Sequence, residues 1–347
     1  MTDTWRPARG RVVCVGETMA ALVPDPPGPL ADAGHLRLSV AGAESNVAMY
    51  LADHGVPATW LSALGDDPLG GRVRAVVAAS GVDVAHVRTD PDRPTGLMLK
   101  NPAPTGTRVH YYRKGSAASA LGPDLLDHEA VRTAALVHFT GITPALSASC
   151  RELVTRALAV PAAQRRYAIS FDVNHRAPLW PKGTAPDVLR DLAGRADIVL
   201  VGLDEAQDLW GADLTAATVR ELLPGPRIVV VKDGSRVATA FTDSGAVTVP
   251  ALRVAVVEPV GAGDAFAAGF LAGLLRGEPV DRALRIGHIT AVSALKVTGD
   301  HGPLPPHSFA DQLLALTDKE WETYEETPKS ASERDGGGQE GRPTTGT

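Results

Sequence analysis

Residues 168–201 read AISFDVNHRAPLWPKGTAPDVLRDLAGRADIVLV. Two short apolar runs, Ala168–Val173 and Ile198–Val201, enclose a longer segment, Ala185–Leu192, in which apolar residues recur at helical spacing. Parallel strands need a crossover connection between them, and a helix usually provides it. The sequence therefore predicts a strand, a helix and a second strand parallel to the first.

The same alternation extends along most of the chain. Its apolar runs are rich in valine and isoleucine without interspersed polar residues, which indicates strands that are buried on both faces. Further strands are predicted at Arg11–Val15 and Ile228–Val231, and a further helix at Arg151–Ala159. The predicted fold class is α/β, with a mostly parallel central sheet that is covered by helices on both sides.

Residues 94–114 depart from this pattern. The strand-like runs 97–100 and 108–113 flank a Pro-, Gly- and Thr-rich turn at 102–107, which predicts a hairpin. A hairpin does not extend a parallel sheet, so we interpret it as a small β lid over a site. Strand alternation places Val109, Tyr111 and Arg113 on one face and His110, Tyr112 and Lys114 on the other.

Composition excludes several classes of protein. The 347 residues are 44% hydrophobic and 21% charged, which is typical of a folded globule, and the net charge of −6 argues against nucleic-acid or membrane-surface partners. Cys14 and Cys150 are too few for a disulfide framework. The N-terminus has no apolar signal segment, and the longest apolar run, 265–275, is shorter than the roughly 20 residues of a membrane span. We expect a cytoplasmic protein.

The segment most suggestive of chemistry is VVEPVGAGDAFAAGF at residues 256–270. Gly261 and Gly263 come directly before a strongly helical stretch, and glycines at a helix start leave backbone N–H groups free to attract an anion. Asp264 would oppose an anion unless it has a task, such as accepting a proton. An ordinary Asp N-cap explains the same pattern equally well.

Two further segments place polar groups where a ligand could bind. Gly42 precedes a helical pattern that closes at Gly55, and Asn46 lies in its first turn, although an ordinary capped helix has the same features. Residues 171–176 end a strand with polar side chains, at the edge where parallel sheets bind ligands, although a solvated loop is an equal alternative.

In the hairpin, Tyr111 and Arg113 form a pair that suits a carboxylate or a polyol, because arginine binds carboxylates through two parallel hydrogen bonds. The alternative is an exposed amphipathic edge strand; single-stranded nucleic acid is disfavoured on an acidic chain.

The sequence has no P-loop signature, no G-x-G-x-x-G after the first strand and no G-x-S-x-G, and its ten histidines show no metal-ligand spacing.

Taken in order, these segments resemble the ribokinase-like (PfkB) carbohydrate kinases from about residue 11 to 310. The resemblance is carried by Ala41-Gly42 and Asn46, LGDDPLG at 64–70, Pro94-Thr95-Gly96 and Gly261-Ala262-Gly263-Asp264. Within the family the chain looks most similar to 2-keto-3-deoxygluconate kinases. That similarity is carried by Gly16-Glu17, GAESN at 42–46, YYRKGSAA at 111–118 and Gly299-Asp300 ahead of Leu304-Pro305.

The resemblance implies a three-layer α/β/α domain over residues 1–315, with lid excursions at about 34–41 and 94–114. Residues 316–347 are rich in Glu, Ser, Gly and Thr and are predicted to form a disordered tail. The resemblance further implies phosphate transfer from Mg-ATP to a sugar hydroxyl, K⁺ as an optional activator, and a homo-oligomer, since lids in this fold often pair between subunits.

Residue roles are implied in the same way. Asp264 corresponds to the catalytic base, and the amides of Gly261, Ala262 and Gly263 to the groups that hold the transferring phosphoryl group. The sugar site would comprise Gly42, Asn46, Tyr111, Arg113 and Asp300. The nucleotide and its phosphates would be served by Asn174, Arg176, Lys232 and Gly234, with Arg176 also in reach of the substrate acid, and Glu205 would be the magnesium-associated acid.

The chain departs from the family pattern in three places. Residues 258–260 are Glu-Pro-Val where many members have Asp-Thr-Thr, which puts activation by a monovalent cation in doubt. Gly202 replaces the usual Asn of an Asn-x-x-Glu element, and Val237 stands where a second glycine often follows Lys232-Asp233-Gly234.

Three functions fit these observations. Phosphoryl transfer is mostly positioning and charge stabilisation under a lid that excludes water, so an anion hole, Mg²⁺ and one aligned base suffice for it. The main hypothesis is a kinase for 2-keto-3-deoxygluconate or a similar acidic keto sugar. The alternatives are a kinase for a neutral sugar such as fructose or ribose, and a non-catalytic sugar- or nucleotide-binding relative.

Overall fold

The computed structural model describes residues 5–103 and 107–325. Within them the strands are β1 (Val12–Val15), β2 (Met19–Pro24), β3 (Leu36–Ala41), β4 (Ala58–Leu61), β5 (Ala63–Gly65), β6 (Arg88–Asp90), β7 (Leu97–Asn101), β8 (Arg108–Tyr112), β9 (Leu136–Thr140), β10 (Ala168–Asp172), β11 (Ile198–Gly202), β12 (Ile228–Asp233), β13 (Val237–Thr242) and β14 (Gly245–Pro250). The helices are α1 (Ala43–Asp53), α2 (Pro68–Ala79), α3 (Glu129–Arg132), α4 (Thr143–Leu146), α5 (Ala148–Ala159), α6 (Ala185–Gly194), α7 (Leu203–Trp210), α8 (Ala216–Leu222), α9 (Ala262–Arg276), α10 (Val280–Leu295), α11 (His307–Leu314) and α12 (Asp318–Glu322).

The central sheet has eight strands in the order β14-β13-β12-β11-β10-β9-β1-β4. The six strands from β12 to β4 pair in parallel, which confirms the strand–helix–strand prediction for residues 168–201. At the other edge β13 and β14 are antiparallel additions that join as hairpins. Residues 237–250 lack the uninterrupted apolar runs that mark β11 and β12. Sequence analysis therefore did not identify β13 and β14.

The burial of alternate residues explains the layers. Val12 and Cys14 of β1 belong to the core on one face of the sheet, and Val13 and Val15 belong to the core on the other. The first core packs against α1, α9 and α10, and the second against α5, α6 and α7. Because neither face is solvated, uninterrupted apolar strands are required. The α/β/α architecture predicted from the sequence is confirmed.

A separate four-stranded sheet, β3-β2-β7-β8, forms the lid. β7 and β8 are antiparallel from Leu97 opposite Tyr112 to Asn101 opposite Arg108, so the predicted hairpin is present. The predicted turn at 102–107 includes residues 104–106, which lie outside the described residues. The sequence did not reveal that β2 is the strand that joins β3 to this hairpin.

The predicted disorder from residue 316 onward is wrong for residues 316–325. They include α12, where Trp321 is only 1% exposed and its Nε1 donates a hydrogen bond to the Pro250 carbonyl oxygen at 2.9 Å. Arg285 of α10 stacks on the Trp321 ring and pairs with Asp318 at 2.6 Å. The polar composition of this segment concealed one large apolar anchor. The prediction for residues 326–347 lies outside the described residues.

Two predictions about chemical environment concern the cysteines and membrane insertion. Cys14 and Cys150 are both buried and free, in agreement with the absence of a disulfide framework. Over residues 5–103 and 107–325, no helix is both long enough and apolar enough to traverse a bilayer.

Candidate active site

A cleft of about 980 Å³ lies between the lid and the carboxyl-terminal edge of the central sheet. Ligands of open α/β sheets bind at this edge, because loops and helix N-termini converge there. All the residues that sequence analysis selected line this one cleft: Gly42, Asn46, Tyr111, Arg113, Asn174, Arg176, Glu205, Lys232, Gly234, Gly261, Ala262, Gly263, Asp264 and Asp300.

The floor of the cleft is the start of α9. Gly261 is its N-cap with φ 84°, and a Cβ atom there would clash with the carbonyl oxygen of Asp300, so only glycine fits. Among the described residues, the backbone N–H groups of Gly263 and Asp264 have no hydrogen-bond partner. Free donors and the helix dipole together make this helix start attractive to an anion.

Asp264 lies in the first turn of α9 and is 9% exposed. Its Oδ2 accepts a hydrogen bond from Nδ2 of Asn46 at 2.9 Å, and its Oδ1 accepts one from Nδ2 of Asn174 at 3.2 Å. The side chain therefore does not cap its own helix, which removes the ordinary N-cap interpretation. Burial, with the nearby Asp172, raises the pKa of Asp264 to about 7 despite the opposing hydrogen bond from Asn46.

The two asparagines are themselves unusual. Asn174 follows β10 with φ 38°, a left-handed conformation that asparagine tolerates better than most residues and that concentrates at functional sites. The Oδ1 atoms of both Asn46 and Asn174 are buried without a hydrogen-bond partner in the described chain. Each amide thus orients Asp264 through its nitrogen and leaves an acceptor oxygen available to a ligand hydroxyl.

A charged group lies at the ends of β10, β11 and β12. Lys232 pairs with Asp172 at 2.9 Å, and Glu205 accepts hydrogen bonds from the backbone N–H groups of His175 at 3.1 Å and Gly202 at 3.0 Å. Burial raises the pKa of Glu205, and the adjacent Asp172 raises it further. Arg176 also lies 3.8 Å from Glu205, so two cations balance the two carboxylates at this edge of the sheet.

Arg113 projects into the cleft from the end of the lid strand β8. Its guanidinium forms an ion pair with the buried carboxylate of Glu17, to which the Ser116 hydroxyl also donates. Nη1 of Arg113 has no partner among the described residues, and its guanidinium carbon lies 5.6 Å from the centre of the Tyr111 ring. The face with Val109, Tyr111 and Arg113 lines the cleft, whereas Tyr112 on the opposite face is 64% exposed.

Sequence analysis missed two residues of this cleft, Lys100 and Glu17. Lys100 of β7 is 2% exposed, and its Nζ contacts Glu258 at 2.9 Å and Asp300 at 3.0 Å. The available signal was its position two residues after Met98, on the inward face of the hairpin. Glu17 follows β1 directly, at the ligand-binding edge of a parallel sheet, but it was noted only as part of a resemblance.

Similarity to known proteins extends over most of the chain. Residues 9–306 match the pfkB family of carbohydrate kinases. The chain is 36% identical to the 2-dehydro-3-deoxygluconokinase of Thermoproteus tenax, over 87% of this chain and 94% of that protein, and 35% identical to the 2-dehydro-3-deoxygalactonokinase of Haloferax volcanii, over 85% and 94%. The crystal structure of the PfkB protein from Polaromonas sp. JS666 superposes with a TM-score of 0.77 at 35% identity, covering 89% of this chain and all of that one.

Proposed function

This chain belongs to the pfkB family of carbohydrate kinases, and from that premise we propose that it phosphorylates 2-keto-3-deoxygluconate or a similar acidic keto sugar with Asp264 as the base. Membership of the family makes it an enzyme that uses ATP to phosphorylate a sugar. The acidic keto sugar, the base and the roles of the other residues are the proposal.

The observation that carries the proposal is the juxtaposition of Asp264 with the free amides of α9. A pKa of about 7 lets Asp264 accept a proton near neutral pH, whereas an ordinary aspartate would be too weak a base. In the proposed step Asp264 removes the proton of a primary hydroxyl, whose oxygen bonds to the γ-phosphorus of ATP as the bond to the β–γ bridging oxygen breaks and ADP leaves. The free backbone N–H groups of Gly263 and Asp264 stabilise the charge on the phosphoryl oxygens, whereas that of Ala262 donates to the Pro259 carbonyl oxygen at 3.4 Å.

The nucleotide is proposed to lie along the sheet edge on the other side of α9. Lys232 and Arg176 supply positive charge for the phosphates. The wall beyond them is apolar and suits a purine base: it comprises Val237, Leu252, Val254, Ala291, Val292 and Leu295. This wall supports nucleotide binding even though Val237 departs from the family's second glycine.

Mg²⁺ would arrive with ATP as part of the substrate. Glu205 and Asp172 fit it as outer partners, because magnesium in such sites keeps several waters and takes few protein carboxylates. Bound there, the ion would supply charge neutralisation to the phosphates.

The acidic character of the sugar is proposed from Arg113. One edge of its guanidinium is held by Glu17, Nη1 has no partner among the described residues, and both Arg113 and Tyr111 line the cleft. A planar donor that is already oriented loses little freedom on binding a carboxylate. The alternative of a neutral sugar is favoured by the same Glu17, because its charge partly cancels that of Arg113.

A panel assay of coupled ADP release tests the proposal. We expect kcat/KM for 2-keto-3-deoxygluconate or its galacto epimer to exceed the values for fructose and ribose by roughly tenfold or more, the usual value of one charge-assisted hydrogen bond. Higher efficiency with a neutral sugar would overturn the acidic substrate. Binding of sugars by calorimetry without turnover of any of them would favour the non-catalytic relative.

A further inference from the structure

The lid and the core are joined by a buried ion-pair cluster whose lysine has no part in the proposed chemistry. Lys100 belongs to the lid strand β7, whereas its two partners, Glu258 and Asp300, belong to separate segments of the core domain. The side chains of these partners are 13% and 8% exposed. Among the described residues, neither carboxylate has a second cationic partner.

The two carboxylates flank the anion-binding loop 258–263. Glu258 is the first residue of that loop, and the main chain of Asp300 packs against Gly261 so closely that no side chain fits between them. The backbone N–H of Val257, just before the loop, donates to the Leu295 carbonyl oxygen at 2.7 Å at the end of α10. Lys100 therefore contacts the first residue of the loop directly and, through Asp300, the segment that packs against Gly261.

The ammonium of Lys100 remains charged in this environment. Burial alone would lower the pKa of Lys100, but Asp300 and Glu258 raise it above its ordinary value. Removal of the ammonium would leave two buried carboxylates facing one another, an arrangement that is strongly destabilising unless another cation enters or a proton binds.

We propose that Lys100 is a positioning residue, a tethered cation that holds the anion-binding loop against the lid and so removes the need for a free monovalent cation there. Glu258 stands at the position of the first acid of the family's Asp-Thr-Thr motif, and its charge is already committed to Lys100. The residues present therefore do not fit an additional K⁺ at this carboxylate. The kinetic part of the inference rests on the proposed function; the part concerning stability does not.

The test compares Lys100→Met with the wild type and with Arg37→Ala. Arg37 also joins the lid to the same core segment, through a 2.8 Å hydrogen bond from Nη2 to the hydroxyl of Thr298, but it is exposed and pairs with no carboxylate of the described chain. We expect Lys100→Met to lower kcat roughly 10–100-fold with a much smaller change in the KM for ATP, because the loop is displaced while the nucleotide wall is intact. Its thermal midpoint should fall by roughly 5–10 °C.

The decisive readout is cation dependence, measured as thermal midpoint and as kcat in K⁺, NH₄⁺ or choline chloride at equal ionic strength. K⁺ or NH₄⁺ should partly restore both quantities in Lys100→Met and choline should not, whereas the wild type and Arg37→Ala should respond equally to all three salts. Strong stimulation of the wild type by K⁺ over choline would overturn the inference, as would a Lys100→Met variant that behaves like Arg37→Ala.

Two further variants keep the outcome interpretable. Lys100→Arg preserves the charge and should remain insensitive to the added cation. If Lys100→Met does not fold, the double variant with Glu258→Gln removes one unpaired carboxylate, and we expect it to fold and to show a weaker cation response; no response would count against the inference. A wild type that phosphorylates no sugar would refute the proposed function, while the thermal measurements would still decide the role of Lys100.

Discussion

The floor of the cleft and its lid side both bury carboxylates, but the carboxylates of the lid side pair with cations and Asp264 on the floor pairs with neutral amides. On the lid side, Glu17 is held by Arg113, and Glu258 and Asp300 are held by Lys100. On the floor, Asp264 is held by the neutral amides of Asn46 and Asn174. These carboxylate side chains are buried to a comparable extent, so the difference lies in whether the direct partner of the carboxylate is a cation or a neutral amide.

A cationic partner stabilises the ionised carboxylate and makes it a poor base, whereas an amide fixes the orientation and leaves the proton affinity high. The lid side therefore uses its carboxylates to hold structure. The floor keeps one carboxylate whose charge can change near neutral pH, which is the property that proton abstraction requires. The following predictions test this division, in decreasing order of expected effect.

Replacing the amide-bound carboxylate should have the largest effect. Asp264→Asn keeps the size of the side chain but cannot accept the proton, so we expect kcat to fall roughly 10²–10⁴-fold with little change in KM. Steady-state kinetics with the preferred sugar measures both quantities, and calorimetric binding of ATP serves as the control for folding. Near-normal turnover would exclude Asp264 as the base.

Replacing Arg113, the lid-side cation that pairs with Glu17, should change the specificity for the sugar instead of turnover in general. Arg113→Ala is expected to lower kcat/KM for acidic sugars roughly 10–100-fold, the value of a charge-assisted hydrogen bond, and to change neutral sugars far less. The matched control is Lys114→Ala, since Lys114 is the next residue along the chain and is also cationic, but is exposed. Equal losses for acidic and neutral sugars would indicate only that Glu17 lost its partner.

The pH profile of the reaction should report the ionisation of Asp264. Because burial raises the pKa of Asp264 to about 7, its base form is depleted as the pH falls, and log kcat/KM should decrease by about one unit per pH unit below that value. The measurement covers pH 5.5 to 8.5 under conditions where the protein stays folded. A profile that is flat down to pH 5.5 would contradict the raised pKa.

The smallest predicted effect is on stability. Asp264 has a higher pKa in the folded than in the unfolded chain, so its contribution is fully present below about pH 4 and is lost as the pH rises towards 7. Asp264→Asn should therefore be more stable than the wild type by about 1–3 kcal/mol at pH 8 and nearly equal to it at pH 4. Urea unfolding at the two pH values measures the difference; a constant gap would show that ionisation is not its cause.

Local sequence patterns predicted the floor of the cleft but not the Lys100 cluster on its lid side. The strands at 168–173 and 198–201 and the helix start at Gly261–Asp264 are encoded by residues close together in sequence, so periodicity and glycine placement revealed them. In the Lys100 cluster, Glu258 lies 158 positions and Asp300 lies 200 positions from Lys100 in the sequence. A lysine within a strand indicates an exposed edge unless its partners are known. Likewise, the polar composition of residues 316–325 does not reveal that Trp321 reaches the core.

The short helix α12 also packs behind the side of the cleft that we propose for the nucleotide. Trp321 donates a hydrogen bond to the carbonyl oxygen of Pro250. The residues that follow Pro250, Ala251 to Val254, line the cleft at the wall that would face the purine. A protein shortened after residue 315 would lose this support from behind, and ATP affinity would weaken before the proton-transfer chemistry was touched. Residues 316–325 thus support, from behind, a pocket that they do not themselves line.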